Sequence, residues 1–278
     1  MTTHPESIEI CVQADHLTFT YPGGEEPVLK DLSFRIPTGQ FVALLGANGC
    51  GKSTLAKLLA GLIAPDSGTL KVLEYDSSRP SSIHSIRGRV GIVFQSPDEQ
   101  MVATTVEREI AFGMENLGVE PAQIRRRVNE LLQRFDLKPY AKRSPYLLSG
   151  GEKQRLALAS ILAMQPQFLI LDEVSSLLDP AGRRSVLEMI RQIRRECTLL
   201  MITQFPGETS SADRLWIMER GTIIANGPPG EIFRKAASEP IAGIQIPPVF
   251  ELLNAAENPR ADTPFPASVF RLKGSSSS

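Results

Sequence analysis

The chain has 278 residues, 42% of them hydrophobic and 22% charged, and a formal net charge of −1. That is the balance of an ordinary globular protein, long enough to bury a sizeable core, with no basic excess to make nucleic acid its main partner. The three cysteines, Cys11, Cys50 and Cys197, form no C-x-x-C pair, which argues against a disulfide framework or a zinc site and fits a reducing cytosol.

The polar segment Met1 to Ile10 lacks the basic-then-apolar order of a signal peptide. No apolar run approaches the length of a membrane span, so any work at a membrane requires other chains to supply the membrane part. Residues 8 to 45 read as short strands broken by turns at Tyr21-Pro22-Gly23-Gly24 and Pro37-Thr38-Gly39. Phe41 to Leu45 is a continuous apolar strand, followed by a glycine-rich loop and a helix over Lys52 to Gly61. Val90 to Phe94 reads as a second buried strand. Residues 98 to 149 are charge-rich and helical in pattern, as in Gln123 to Phe135, and read as an inserted helical subdomain. Phe168 to Leu171 and Thr198 to Thr203 are further core strands, separated by an amphipathic helix over Val186 to Arg195. Leu215 to Glu219 and Thr222 to Ala225 flank Arg220-Gly221, a hairpin signal. Strands alternating with helices predict an α/β fold around a mostly parallel sheet. Beyond Lys235 the chain becomes proline-rich and ends in Gly-Ser-Ser-Ser-Ser. The last twenty or so residues carry a disordered composition, while Ile244 to Leu253 has enough apolar side chains to pack on something.

Gly46, Ala47, Asn48, Gly49, Cys50, Gly51, Lys52 and Ser53, with Thr54 following, fit the phosphate-binding pattern G-x-x-x-x-G-K-[ST] between a predicted strand and a predicted helix. The glycines let backbone N–H groups converge on phosphate oxygens. Lys52 adds a point charge at the β- and γ-phosphates. The Ser53 hydroxyl is an oxygen ligand of the kind Mg²⁺ prefers. Cys50, at a helix N-terminus, is either a thiol of lowered pKa or a small residue tolerated in the loop. The strand Phe168 to Leu171 ends in Asp172 and Glu173. Asp172 can hold Mg²⁺ through water, and Glu173 can accept a proton from attacking water. Leu148 to Arg155 reads LSGGEKQR. Ser149 is a good N-cap for the apolar-periodic run Leu156 to Leu162, and Gly150 and Gly151 leave the helix N-terminus open to a phosphate.

LSGGEKQR, the phosphate loop and the Asp172-Glu173 strand, in this order, resemble the ATPase domain of the ATP-binding-cassette (ABC) family. The resemblance implies a P-loop NTPase fold over residues 1–235, with a mostly parallel core sheet, an N-terminal antiparallel β-subdomain and a helical subdomain at about 98–149. Residues 236–278 would form a C-terminal extension. It implies ATP and Mg²⁺ as cofactors, and a second ATPase subunit stacked head to tail, so that Ser149, Gly150 and Gly151 clasp the partner's ATP. By the same resemblance Tyr21 stacks on adenine and Gln95 is the Q-loop glutamine that touches Mg²⁺. Ser176-Leu177-Leu178-Asp179 is the D-loop at the dimer seam.

Val93 to Met101, Thr105-Val106-Glu107 and Ile110 to Val119 are similar to the ATPases of energy-coupling factor (ECF) transporters, as is Ile246-Pro247-Pro248-Val249. That similarity implies a peripheral protein at the cytoplasmic face of the membrane. It would drive a membrane coupling protein and a membrane substrate-binding protein in the uptake of a vitamin or a transition-metal ion. The ATPase of a conventional importer is the alternative. The chain departs from the family where Met201-Ile202-Thr203 is followed by Gln204, the place of a switch histidine. A glutamine amide donates a hydrogen bond to phosphate but carries no charge. Either Gln204 substitutes adequately, or the chain's own site is slow and a competent partner ATPase completes the pair. A nucleotide-gated subunit that hardly hydrolyses is a further reading of the same substitution.

Overall fold

The computed structural model describes residues 9–239, 246–248 and 250. Ten strands and seven α-helices occur among them, joined by short 3-10 turns. The chain opens with β1 (Ile10–Phe19), β2 (Leu29–Pro37) and β3 (Phe41–Gly46), then α1 (Lys52–Leu59), β4 (Ser67–Val72), β5 (Tyr75–Asp76), α2 (Pro80–Arg87) and β6 (Val90–Val93). Next come α3 (Val106–Asn116), α4 (Pro121–Arg134), α5 (Gly150–Ala163), β7 (Phe168–Asp172), α6 (Pro180–Ile193) and β8 (Thr198–Thr203). The hairpin β9 (Arg214–Glu219) and β10 (Thr222–Gly227) leads into α7 (Pro229–Ser238).

The core sheet has the order β10-β9-β3-β8-β7-β6. Its pairs β9–β3, β3–β8, β8–β7 and β7–β6 are parallel, and β10 closes the edge antiparallel to β9. Continuous apolar runs form these strands because both faces are buried. Phe41, Ala43 and Leu45 of β3 enter one apolar cluster and Val42 and Leu44 the other. Leu169 and Leu171 of β7 divide from Phe168 and Ile170 in the same way. An antiparallel sheet, β2-β1-β4-β5, adds Val12, Leu17, Phe34 and Leu70 to the second cluster. Helices α3 and α4 pack with α5 on the first cluster, through Ile110, Met114, Leu131 and Leu156.

Several elements differ from the sequence reading. Helix α6 begins at Pro180, well before Val186, because Asp179 caps it by accepting the Gly182 N–H at 2.8 Å. Helix α1 stops at Leu59, two residues short of the expected end. Strands β4 and β5 and helices α2 and α7 were not anticipated. Ile246 and Phe250 pack against the core, with the Phe250 ring 5.3 Å from that of Phe233. Val249 and the expected disordered tail lie outside the described residues.

Candidate nucleotide site

The site forms where β3, β8, β7 and β6 end side by side. The register pairs Leu45 with Thr203, Asp172 with Ile202, and Val93 with Leu171. The residues that follow these strands therefore emerge at one edge, the carboxyl edge where α/β sheets bind ligands. A cavity of about 440 Å³ opens there, lined by Tyr21, Val28, Asn48, Gly49, Gly51, Lys52, Ser53, Thr54, Gln95, Glu173 and Gln204. Residues from five separate parts of the sequence thus meet around one space.

The phosphate loop is built for close backbone approach. Gly51 caps α1 at φ 108°, a left-handed conformation that favours glycine, and offers no side-chain acceptor to the first helical turn. The orphan N–H groups of that turn are left for an anion. The tip of the β9–β10 hairpin braces the loop: the Gly221 N–H donates to the Cys50 carbonyl at 3.0 Å. A Cβ on Gly221 would fall 2.3 Å from the Val28 carbonyl oxygen, so the brace requires glycine. Lys52 is 4% exposed and donates to the carbonyls of Gly46 (2.8 Å) and Ala47 (3.0 Å). Its Nζ lies 3.5 Å from Glu173 Oε1. An ammonium held by two carbonyls and one carboxylate stays poised beside the cavity.

Asp172 is buried at the end of β7. Burial pushes its carboxyl above the usual carboxylate range, opposed by a hydrogen bond from Ser53. Its Oδ1 is buried without a hydrogen-bond partner. An unpaired buried carboxylate oxygen next to a serine hydroxyl fits an oxygen-loving divalent cation such as Mg²⁺, which takes one or two carboxylates and substrate phosphates rather than a full protein cage. Glu173 holds a left-handed backbone (φ 52°), uncommon outside glycine. Its N–H donates to the Ile202 carbonyl at 3.0 Å, and its own carbonyl accepts from Ser176 Oγ at 2.8 Å. Gln95 Nε2 donates to the same Ser176 Oγ at 3.1 Å, joining the end of β6 to the turn after β7. This bridging role of Ser176 is not readable from the sequence.

Tyr21 is 39% exposed. Its ring stands edge-on to Phe19 with centroids 5.0 Å apart, and its hydroxyl lies 3.2 Å from Thr54 Oγ1. That leaves a ring face for a flat base. Val28, unpredicted, lines the cavity beside it. Gln204 is exposed directly after β8 and reaches the cavity without a hydrogen bond of its own among the described residues. Cys50 is buried, and burial raises its thiol pKa against the pull of Lys52, so the reactive-thiol reading fails.

Ser149, Gly150 and Gly151 do not line this cavity. They form the N-terminus of α5 with a full capping box, in which Glu152 Oε2 accepts from the Ser149 N–H and Oγ, both at 2.8 Å. Hydrogen bonds from Tyr140 and from the Ser149 N–H hold the Glu152 carboxyl below its ordinary range. Ser149 and Gly150 face solvent.

The family profile described as ABC transporter matches residues 29–176. The chain is 40% identical over 258 residues to an energy-coupling factor transporter ATP-binding protein EcfA1 of Caldanaerobacter subterraneus subsp. tengcongensis, covering 91% of this chain and 93% of that one. It is 44% identical over 238 residues to the protein of the same description in Lacticaseibacillus paracasei, covering 85% of each. Among solved structures, cbiO1 from Clostridium perfringens, described as part of the ABC transporter complex cbiONQ, superposes with a TM-score of 0.74 at 29% identity over 88% of this chain and 99% of that chain. The ATP-binding cassette MJ0796 shares the fold, with a TM-score of 0.71 at 24% identity over 78% and 98% of the two chains. With a cavity at the carboxyl edge of its core sheet and relatives of this identity over nearly its whole length, the chain belongs to the ABC transporter ATPases and is an ATP-hydrolysing subunit of an energy-coupling factor transporter.

Proposed function

We propose that the chain binds Mg²⁺-ATP in the carboxyl-edge cavity and works as half of a heteromeric ATPase pair at the cytoplasmic face of the membrane. One observation carries this reading: the cavity gathers Lys52, Glu173 and Gln204, whereas Ser149 and Gly150 stand in solvent elsewhere. Each half of a head-to-tail pair would lend its exposed helix N-terminus to the other's phosphates. In this reading Tyr21 stacks on the base, while Lys52 and the first-turn N–H groups of α1 hold the phosphates. Ser53, Gln95 and Asp172 would hold Mg²⁺, which when bound neutralises phosphate charge. Glu173 accepts a proton from the attacking water, and the Gln204 amide donates to the γ-phosphate.

The neutral Gln204 supports a slow site in this chain and a competent site in a non-identical partner. The helical subdomain, at about residues 98–149, would receive helices of a membrane coupling protein. Exposed Val102, Tyr146 and Leu147 support that surface, and the Tyr146 hydroxyl donates to the Met101 carbonyl at 3.1 Å to join its two segments. No helix among the described residues is long and apolar enough to cross a membrane. The relative cbiO1 is described as part of the ABC transporter complex cbiONQ, which supports assembly with separate membrane proteins; in this reading one of them binds a vitamin or a transition-metal ion. Affinity purification of the tagged full chain from its own cells in mild detergent tests this. The expected result is co-purification of a second cassette ATPase bearing the switch histidine, with membrane proteins. A pair made of two copies of this chain overturns the heteromeric reading.

A further inference from the structure

Glu208 is 7% exposed, a charged side chain buried outside the nucleotide cavity. Its two oxygens serve two elements. Oε1 accepts from Ser175 Oγ and Oε2 from Thr203 Oγ1, both at 2.6 Å. Ser175 stands two residues after Glu173, and Thr203 directly precedes Gln204. The Thr203 hydroxyl, whose proton points to Glu208, accepts in turn from the Phe205 N–H at 3.0 Å. Arg183 of α6 approaches Glu208 Oε1 at 3.7 Å and lies 3.9 Å over the Phe205 ring. The residues on both sides of Gln204 are therefore tied to one buried carboxylate, which also grips the turn carrying Glu173.

Hydroxyl-to-carboxylate bonds of this length are charge-assisted and about twice as strong as neutral ones. Burial of a carboxylate is tolerable when such donors meet both of its oxygens. Gln204 gains from such a support, because its own side chain has no hydrogen bond among the described residues to hold it.

We infer that Glu208 is a positioning residue for hydrolysis, holding the Gln204 amide in register with the Glu173 carboxylate. This rests on the reading of Gln204 as the γ-phosphate contact. A displaced donor loses transition-state stabilisation while leaving the phosphate loop and Tyr21, which bind the nucleotide, untouched.

The test is steady-state ATP hydrolysis by the full chain in its detergent-purified transporter, with the partner's catalytic site disabled so that only this chain's site reports. Glu208→Gln lowers kcat about tenfold with KM for ATP unchanged. Thr203→Val does the same, and Thr203→Ser, which keeps the hydroxyl, restores the rate; this pair carries the test if Glu208→Gln fails to fold. On a Gln204→Ala background the loss from Glu208→Gln shrinks to less than about threefold, the non-additivity of residues acting through one another. Full multiplication of the two losses, or equal rates for Thr203→Ser and Thr203→Val, overturns the inference. A reduced Gln204→Ala with an unaffected Glu208→Gln overturns the inference alone. A normal rate in Gln204→Ala overturns the role of Gln204 itself.

Discussion

Replacing Gln204 by histidine should accelerate ATP hydrolysis at this chain's own site. The backbone there is tied by the hydrogen bond from the Phe205 N–H to Thr203 Oγ1, and Gln204 lines the cavity with no side-chain hydrogen bond among the described residues. A new side chain can therefore take up the same task. A hydrogen bond from a neutral amide contributes about 0.5–1.5 kcal/mol, and one from a charged donor about 1.5–3 kcal/mol. Gln204 is exposed, so solvent screening favours the lower part of that difference, about 1 kcal/mol or roughly fivefold in rate. The assay is single-turnover hydrolysis in the assembled transporter, with the partner's catalytic site disabled so that only this site reports. The gain should be largest below about pH 6.5, where imidazole is charged, and should shrink as pH rises through that value. A histidine variant with unchanged turnover across that pH range would refute the claim that the missing charge limits this site.

Three further outcomes follow from the site. Asp172→Asn should abolish the Mg²⁺ dependence of ATP binding, measured by titration calorimetry. It should also raise the Tm of the nucleotide-free chain by about 2–4 °C, the shift for ~1 kcal/mol in a domain of this size, because burial disfavours the Asp172 carboxylate more than its Ser53 hydrogen bond supports it. All three cysteines should resist iodoacetamide at pH 8 in the native chain and react on unfolding, followed by mass spectrometry. Burial pushes Cys11 up to about 11 and Cys197 up to about 12, and raises Cys50, so thiolate is scarce. Glu152, whose folded pKa is depressed, stabilises the N-terminus of α5 above the unfolded value of 4.5, and that contribution disappears as pH falls through the lower folded value. A carboxyl titration by NMR should place its midpoint below 4.5.

What the sequence reveals depends on how local each signal is. β3, β7 and β8 are legible because strands buried on both faces must be continuously apolar, and each run stops at a glycine, an acid or a polar turn. The phosphate loop and the β9–β10 hairpin are legible because left-handed backbone and close contact restrict their residues. β4 is missed because it buries only Leu70 and Val72 and otherwise faces solvent. α2 is missed because Pro80-Ser81-Ser82 has poor helix propensity and the helix buries only Ile86. At α7, Pro228-Pro229-Gly230 reads as a turn, yet proline at the first helical position starts the helix. The individual motifs of the site are similarly local. The links between them are not: Ser175 and Glu208 are 33 residues apart, Gln95 and Ser176 are 81 apart, and their pairing exists only once the sheet has aligned its strand ends.

The division of labour between the chain's own cavity and its exposed signature helix is best tested by two single substitutions in the intact transporter. Gly150→Asp places a carboxylate at the helix N-terminus that would meet the partner's phosphates, and Glu173→Gln removes the proton acceptor of this chain's own site. With substrate uptake as the readout, Gly150→Asp should lose far more activity than Glu173→Gln. Equal losses would contradict an account in which this chain's larger contribution to hydrolysis is made in its partner's site.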